Sequence, residues 1–466
     1  MLGNSSRPPR KGTTRRTREQ TLDSALDPRV FQLSLAVVER PIGSLQINPR
    51  NARTHGKKQI NQIAASIKEF GFTNPVLVNE IGMVIAGHGR VAAADMLGMT
   101  VVPTIELSHM TPDQLRAYVL ADNRLAELAG WDKDILSIEL GELIELDLDF
   151  DIEITGFATV DIDKLMSPAE APIADPADAF PEPAEQAISR VGDLWEMGPH
   201  RLLCGNALDP GCYAMLMAGE LAQMVFTDPP YNVPIAGHVS GMGRAQHREF
   251  VMATGEMSSK GFTAFLINFL GASASYCTDG AIMFVCMDWR HSQELLQAAQ
   301  AAGLEQKNLC IWAKDNGGMG TFYRSQHELV YVFKSGTAPH INNFGLGGDG
   351  RYRTNVWTYP GINTFRQGRD EEMAMHPTVK PVALVADTIK DCSKRGGLIL
   401  DPFAGSGTTV IAGAKTGRIV CAMELDPLYV DVILRRWTAW SGKPAILADT
   451  GRAFDEVMAE RMSKPA

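Results

Sequence analysis

Two consecutive prolines, Pro229 and Pro230, stand just behind the apolar run Met224-Val225-Phe226 and directly ahead of Tyr231 and Asn232. Proline fixes its own φ, lacks an N–H, and pushes the preceding residue out of the helical region. The segment therefore reads as a short strand that ends at Thr227-Asp228 in a stiff corner through which no helix can continue. In open α/β sheets ligands collect at the carboxyl ends of strands, so an acid, a flat ring and an amide on such a corner are candidate site residues. Asp228 and the Pro229 carbonyl can accept hydrogen bonds from a planar exocyclic NH2 while Tyr231 stacks on the ring that carries it. Contacts of this kind make the nitrogen a better nucleophile.

A second strand-and-turn unit lies far downstream, in Leu398-Ile-Leu-Asp-Pro-Phe-Ala-Gly-Ser-Gly-Thr-Thr409. Gly405 and Gly407 leave room where a nucleoside would pass, and Thr408 opens the following helix. Glu424 ends the next strand, Ile419 to Met423, where a carboxylate can accept both ribose hydroxyls. The pyrophosphate fingerprint of dinucleotide enzymes wants a third glycine, but Thr408-Thr-Val410 occupies that stretch. A nucleoside without phosphates is the better fit. Between the two units His376-Pro-Thr-Val-Lys-Pro381 precedes a helix from Val382 to Cys392.

These pieces, in this order, resemble the amino-group DNA methyltransferases that use S-adenosyl-L-methionine, in the permuted beta group whose catalytic loop precedes the cofactor turn. The resemblance covers residues 191–440. It implies catalytic roles for Asp228, Pro229, Pro230 and Tyr231. It also implies cofactor contacts from Asn206, Asp228, Lys380, Asp401, Phe403, Gly405, Gly407, Thr408 and Glu424, with Lys380 facing the carboxylate of the cofactor. Asn206 departs from the family's usual aspartate. A paired base cannot be reached inside a duplex, so the expected substrate is double-stranded DNA with the target nucleotide rotated into the pocket. An acid at position 228 leans towards adenine N6, because cytosine-N4 members more often carry serine there. Cytosine C5 chemistry needs a thiolate, and no Pro-Cys pair stands near residue 228. Cytosine N4 methylation, a non-catalytic DNA-binding protein with an inert methylase fold, and methylation of RNA or of a protein glutamine remain as alternatives.

Upstream, residues 1–34 are basic and aperiodic and read as a disordered tail. Ile42 to Ile47 is expected to be a strand, and Ile60, Ile63, Ala64, Ile67 and Phe70 mark a helix stopped by Gly71. Two short strands then lead into Gly87-His-Gly-Arg-Val-Ala-Ala93. This segment resembles the N-terminal domain of the ParB family, which implies nucleotide contacts from Gly87, Arg90, Asn123 and Arg124. The family's later signature is only partly echoed by Asp122-Asn-Arg-Leu-Ala-Glu127.

The expected layout is thus a tail (1–34), a ParB-like α+β domain (35–165), a Pro/Ala/acidic linker (166–190) and a methyltransferase domain with a Rossmann-like doubly wound α/β sheet (191–466). The final strand pair, around Gly317-Gly-Met-Gly320, is open to an antiparallel hairpin. Arginine is the commonest reader of guanine edges, which singles out Arg244 and Arg248 after Tyr231, and Arg351, Arg353, Arg366 and Arg369 beside Trp357 and Tyr359. The net charge of −10 argues against a protein that coats DNA non-specifically, while leaving room for a local basic groove. Seven scattered cysteines without a Cys-x-x-Cys pair suit a cytoplasmic, metal-free protein with reduced thiols. The expected partners are DNA and, as a homodimer, a second copy, with no membrane.

Overall fold

In a computed structural model the described residues are 35–146, 148–166, 176–178, 181, 183–233, 255–315, 317, 322–345, 351–360 and 379–463. They divide into two compact units, one ending at Asp132 and also taking Leu148–Gly156, the other holding the remainder.

The first unit contains β1 (Val37–Pro41), α1 (Lys57–Phe70), β2 (Val76–Val78), β3 (Val84–Ala86), α2 (His88–Met96), β4 (Val101–Glu106) and α3 (Pro112–Leu128). Its sheet has the order β1-β4-β2-β3, with only the β4–β2 pair parallel. The strand expected at Ile42–Ile47 is instead a 3-10 turn, Ile42–Ser44. The strand lies earlier, because Val37–Pro41 pairs with β4, and Pro41 then turns the chain out of it. Gly71, at φ +79°, stops α1 where the sequence marks it.

The second unit begins with α4 (Lys133–Glu145) and α5 (Thr159–Met166). It continues through β5 (Leu194–Met197), β6 (His200–Cys204), α6 (Pro210–Met217), β7 (Ala222–Thr227), α7 (Ser259–Ser275), β8 (Cys277–Met287), α8 (Ser292–Ala301), β9 (Glu305–Ala313) and β10 (His327–Lys334). After β11 (Val356–Thr358) come α9 (Val382–Cys392), β12 (Leu398–Asp401), α10 (Thr408–Thr416), β13 (Ile419–Glu424), α11 (Pro427–Ser441), β14 (Ile446–Leu447), β15 (Arg452–Ala453) and α12 (Phe454–Ser463). The sheet order is β11-β9-β10-β8-β7-β12-β13-β6-β5-β14-β15. Its centre, β8-β7-β12-β13-β6, is parallel, and β10 runs antiparallel between β8 and β9, as the hairpin alternative had it.

Side-chain alternation explains why this sheet is covered on both faces. Met224 and Phe226 of β7 pack with α9, α10 and α11 on one side, whereas Val225 packs with α6, α7 and α8 on the other. From β7 the chain crosses to β8 in one direction; from β12 it crosses to β13 in the other. The switch point therefore lies between β7 and β12.

The division of the chain does not fall within the expected linker. Asp163 of α5 is buried and pairs bidentately with Arg418, at 2.9 Å from each guanidinium nitrogen, and with Arg395 at 3.0 Å. Removing one partner of such a buried pair costs about 3–5 kcal/mol, so α5 belongs energetically with the sheet. Further along, Asp178 accepts the Val382 N–H, Arg436 donates to the Ala177 carbonyl, and Asp431 accepts the N–H groups of Ile188 and Ser189. Proline-rich composition suggested free chain, but these described parts of 166–190 are docked on α9 and α11.

Candidate active site

Both expected corners sit at the carboxyl edge of the switch point. The β7 corner (Asp228, Pro229, Pro230, Tyr231) and the β12 turn (Asp401, Pro402, Phe403, Ala404, Gly405) line one cavity, with Glu424 and Asp426 from the end of β13. The parallel register that pairs Leu400 with Val225 brings them there.

The β7 corner is held from both ends. The Tyr231 hydroxyl donates to Asp228 Oδ1. Asn232 takes a left-handed φ of +53°, which asparagine tolerates better than most residues. Its buried amide accepts the N–H groups of Gly255 and Met257 and donates to the Met257 carbonyl.

On the other wall, Glu424 accepts the N–H of Gly405 through one oxygen and that of Asp426 through the other, each at 2.9 Å. Burial pushes its carboxyl up to about 7. Asp401 is likewise raised to about 7 by burial, against hydrogen bonds from the Thr409 hydroxyl at 2.6 Å and the Phe403 N–H. Gly405 has φ +54° and open space where a Cβ would point. Gly407 differs: a Cβ there would meet Ile433 at 2.8 Å, so this glycine permits a tight turn against α11. Thr408 lines the cavity, and its hydroxyl meets the Arg436 guanidinium at 3.2 Å.

Several expected residues have other partners. Lys380 lines the cavity, and its ammonium is buried between Asp228 Oδ2 at 2.5 Å and Glu328 Oε2 at 3.0 Å. Asn206 accepts the Leu208 N–H in a local turn, while its neighbours Gly205 and Ala207 line the cavity. Arg351 and Arg353, expected at DNA, both place their guanidinium groups on Asp391, at 2.6 and 2.9 Å. Trp357 is buried, and Tyr359 donates its hydroxyl to Asp387 at 2.6 Å. Arg244, Arg248, Arg366, Arg369 and His376 lie outside the described residues. In the first unit Arg90 donates to the carbonyl of Pro75 at 3.0 Å and to that of Asn74, Asn123 accepts from Arg53, and Arg124 pairs with Glu127.

Residues 222–435 match the DNA methylase family of N6 and N4 enzymes; residues 31–123 match the ParB N-terminal domain, and 134–191 the ParB-methyltransferase HTH domain. The chain thus carries an N6/N4 DNA methylase domain behind a ParB-like N-terminal domain. The ParB-like nuclease domain-containing protein YnaK of Escherichia coli (strain K12) is 54% identical over 80 residues, 17% of this chain and 92% of that protein. The Type II methyltransferase M2.MboI of Moraxella bovis is 24% identical over 247 residues, covering 50% of this chain and 85% of that one. A solved M1.HpyAVI-SAM complex superposes with a TM-score of 0.38 at 18% identity, over 50% of this chain and 97% of that one.

Asp426 and Glu328 are among the residues of the methylase site that were not singled out from sequence. Asp426 caps α11 by accepting the Leu428 N–H, and it also lines the cavity. Glu328 reads as a charged strand end. Its position inside the run His327-Glu-Leu-Val-Tyr-Val-Phe333 was the available signal, since an acid flanked by so much apolar strand needs a buried partner.

Proposed function

We propose that this methylase transfers a methyl group from S-adenosyl-L-methionine to adenine N6 in double-stranded DNA. The observation that carries this reading is that the acid-proline-proline-tyrosine corner and the Gly405 turn open into a single cavity. Its lining suits a nucleoside donor without phosphates: Glu424 and Asp426 offer acceptors for hydroxyls, Phe403 and Tyr429 offer apolar surface, and Gly405 leaves backbone accessible. The lysine in the lining, Lys380, is already matched by two carboxylates. Bound there, S-adenosyl-L-methionine supplies an electrophilic sulfonium methyl.

Tyr231 offers its ring to a base rotated from the helix, replacing lost stacking worth about 1–3 kcal/mol. Asp228 accepts one amine N–H, orients the lone pair, and receives the proton that nitrogen sheds as the N–C bond forms and the sulfur–methyl bond breaks, its electron pair leaving with a neutral thioether. Burial raises the Asp228 carboxyl, opposed by the Lys380 ammonium, which suits it to that acceptance. The acid at the head of the corner favours adenine over cytosine.

The test is transfer of tritiated methyl to duplex DNA by the full chain, followed by modification-sensitive sequencing. Asp228→Ala should lower transfer by about a thousandfold or more while S-adenosyl-L-methionine affinity stays within a few fold; retained activity overturns the role of that carboxylate. Label at cytosine N4 would keep the amine chemistry and reject the adenine choice. DNA binding without transfer by the wild-type chain would favour a non-catalytic protein.

A further inference from the structure

The β7 corner ends in a row of alternating charges that methyl transfer as described does not use. β10 is antiparallel to β8 and β9, so its first residues lie at the edge where those strands and β7 finish. That register places Glu328 and, just past β9, Lys314 behind the catalytic corner. Lys314 meets Glu328 Oε1 at 2.5 Å, Glu328 Oε2 meets Lys380 at 3.0 Å, and Lys380 meets Asp228 Oδ2 at 2.5 Å. Two ammonium groups and two carboxylates alternate, and the Lys380 side chain is 4% exposed.

We propose that Glu328 is the resident counterion of Lys380, and that by holding this ammonium it frees Asp228 to engage the amino group of the incoming base. The inference rests on the methyl-transfer reading above. Both Asp228 oxygens already accept hydrogen bonds, one from Tyr231 and one from Lys380. An amine N–H can be received at full strength only if Lys380 loosens its hold. A buried ammonium left without a partner is costly, and Glu328, on its opposite side, removes that cost. Glu328 is therefore a positioning residue acting through Lys380.

The charge states agree. Burial alone would raise Glu328, but Lys380 and Lys314 bring it down to about 2. Burial alone would lower Lys380, but Asp228 and Glu328 more than offset this and raise it. Among the described residues, the Tyr231 hydroxyl and the Cys286 thiol of β8, both pushed well up by burial, also face this row, as does Asp401 of β12 across Asp228.

The test is Glu328→Gln in the full chain, with Glu328→Asp as the conservative control. Glu328→Gln should lower kcat by about 10- to 100-fold with S-adenosyl-L-methionine affinity within about threefold. Losing one of its two carboxylates leaves Lys380 held by Asp228 alone, so the loss should fall on kcat and leave KM for DNA within about threefold. Glu328→Asp should recover most of that kcat. NMR of 15Nζ-labelled lysine reads the Lys380 ammonium and its hydrogen bonds at neutral pH, whether or not the chain methylates DNA. Failure of methyl transfer in the wild type is thus separable from failure of this proposal. A Lys380 ammonium signal unchanged by Glu328→Gln, or a loss of kcat matched by a lower Tm and not recovered by Glu328→Asp, overturns it.

Discussion

Two turns in this chain share one local design and differ in outcome. In the first unit β3 leads through Gly87 into α2 and then to β4, which ends at Glu106; in the second, β12 leads through Gly405 and Gly407 into α10 and then to β13, which ends at Glu424. Gly87 and Gly407 each cap their helix in the left-handed conformation, at φ +103° and +80°. At the first turn Arg90 folds back, so that a Cβ on Gly87 would meet its guanidinium at 3.3 Å, and Glu106 is paired with Arg40 at 2.5 Å. β2 stands between β3 and β4, so the acid ending β4 is not on the strand next to the turn. β12 and β13 are parallel neighbours, and Glu424 reaches the Gly405 N–H. Strand order, more than the glycines, sets the two turns apart.

The largest expected effect that sharpens this comparison is Gly407→Ala. The new Cβ is both strained at φ +80° and only 2.8 Å from Ile433, so a loss of about 2–4 kcal/mol is expected in urea unfolding, with loss of S-adenosyl-L-methionine binding. A pH effect comes next. Glu424 is raised to about 7 in the folded chain from about 4.3 unfolded. A raised carboxyl contributes stability that is fully present below about pH 4 and is lost as pH rises through 7. An ionised Glu424 is the stronger acceptor for hydroxyls, so S-adenosyl-L-methionine affinity measured by calorimetry should rise from pH 6 to 8, and Glu424→Gln should flatten that rise. The smallest effect is Gly87→Ala, where the near atoms belong to a flexible arginine: a loss of about 1–2 kcal/mol from backbone strain, with kcat for methyl transfer within twofold. Equal losses at both glycines would break the comparison.

The methylase corner was legible because its signals are local: paired prolines stop β7, and glycines and an acid mark β12 to β13. The hairpin of β9 and β10 was legible as an alternative for the same reason. Arg351 and Arg353 were misread as available because their partners, Asp387 and Asp391, sit one turn apart on α9, some forty residues away in sequence. The ion pairs of Lys380 were missed because their partners come from the ends of β7 and β10, which only the sheet register brings together. The packing of Ala177, Asp178, Ile188 and Ser189 was missed because proline content speaks of local stiffness and says nothing of docking.

One feature of the β7 corner reaches beyond catalysis. Asn232 ties the corner to Gly255 and Met257, ahead of α7, so Asp228 and Tyr231 are braced from β7 on one side and from this buried amide on the other. An amide whose donor and acceptor are both engaged is costly to unpair, so the corner is expected to keep its shape whether or not a base is present.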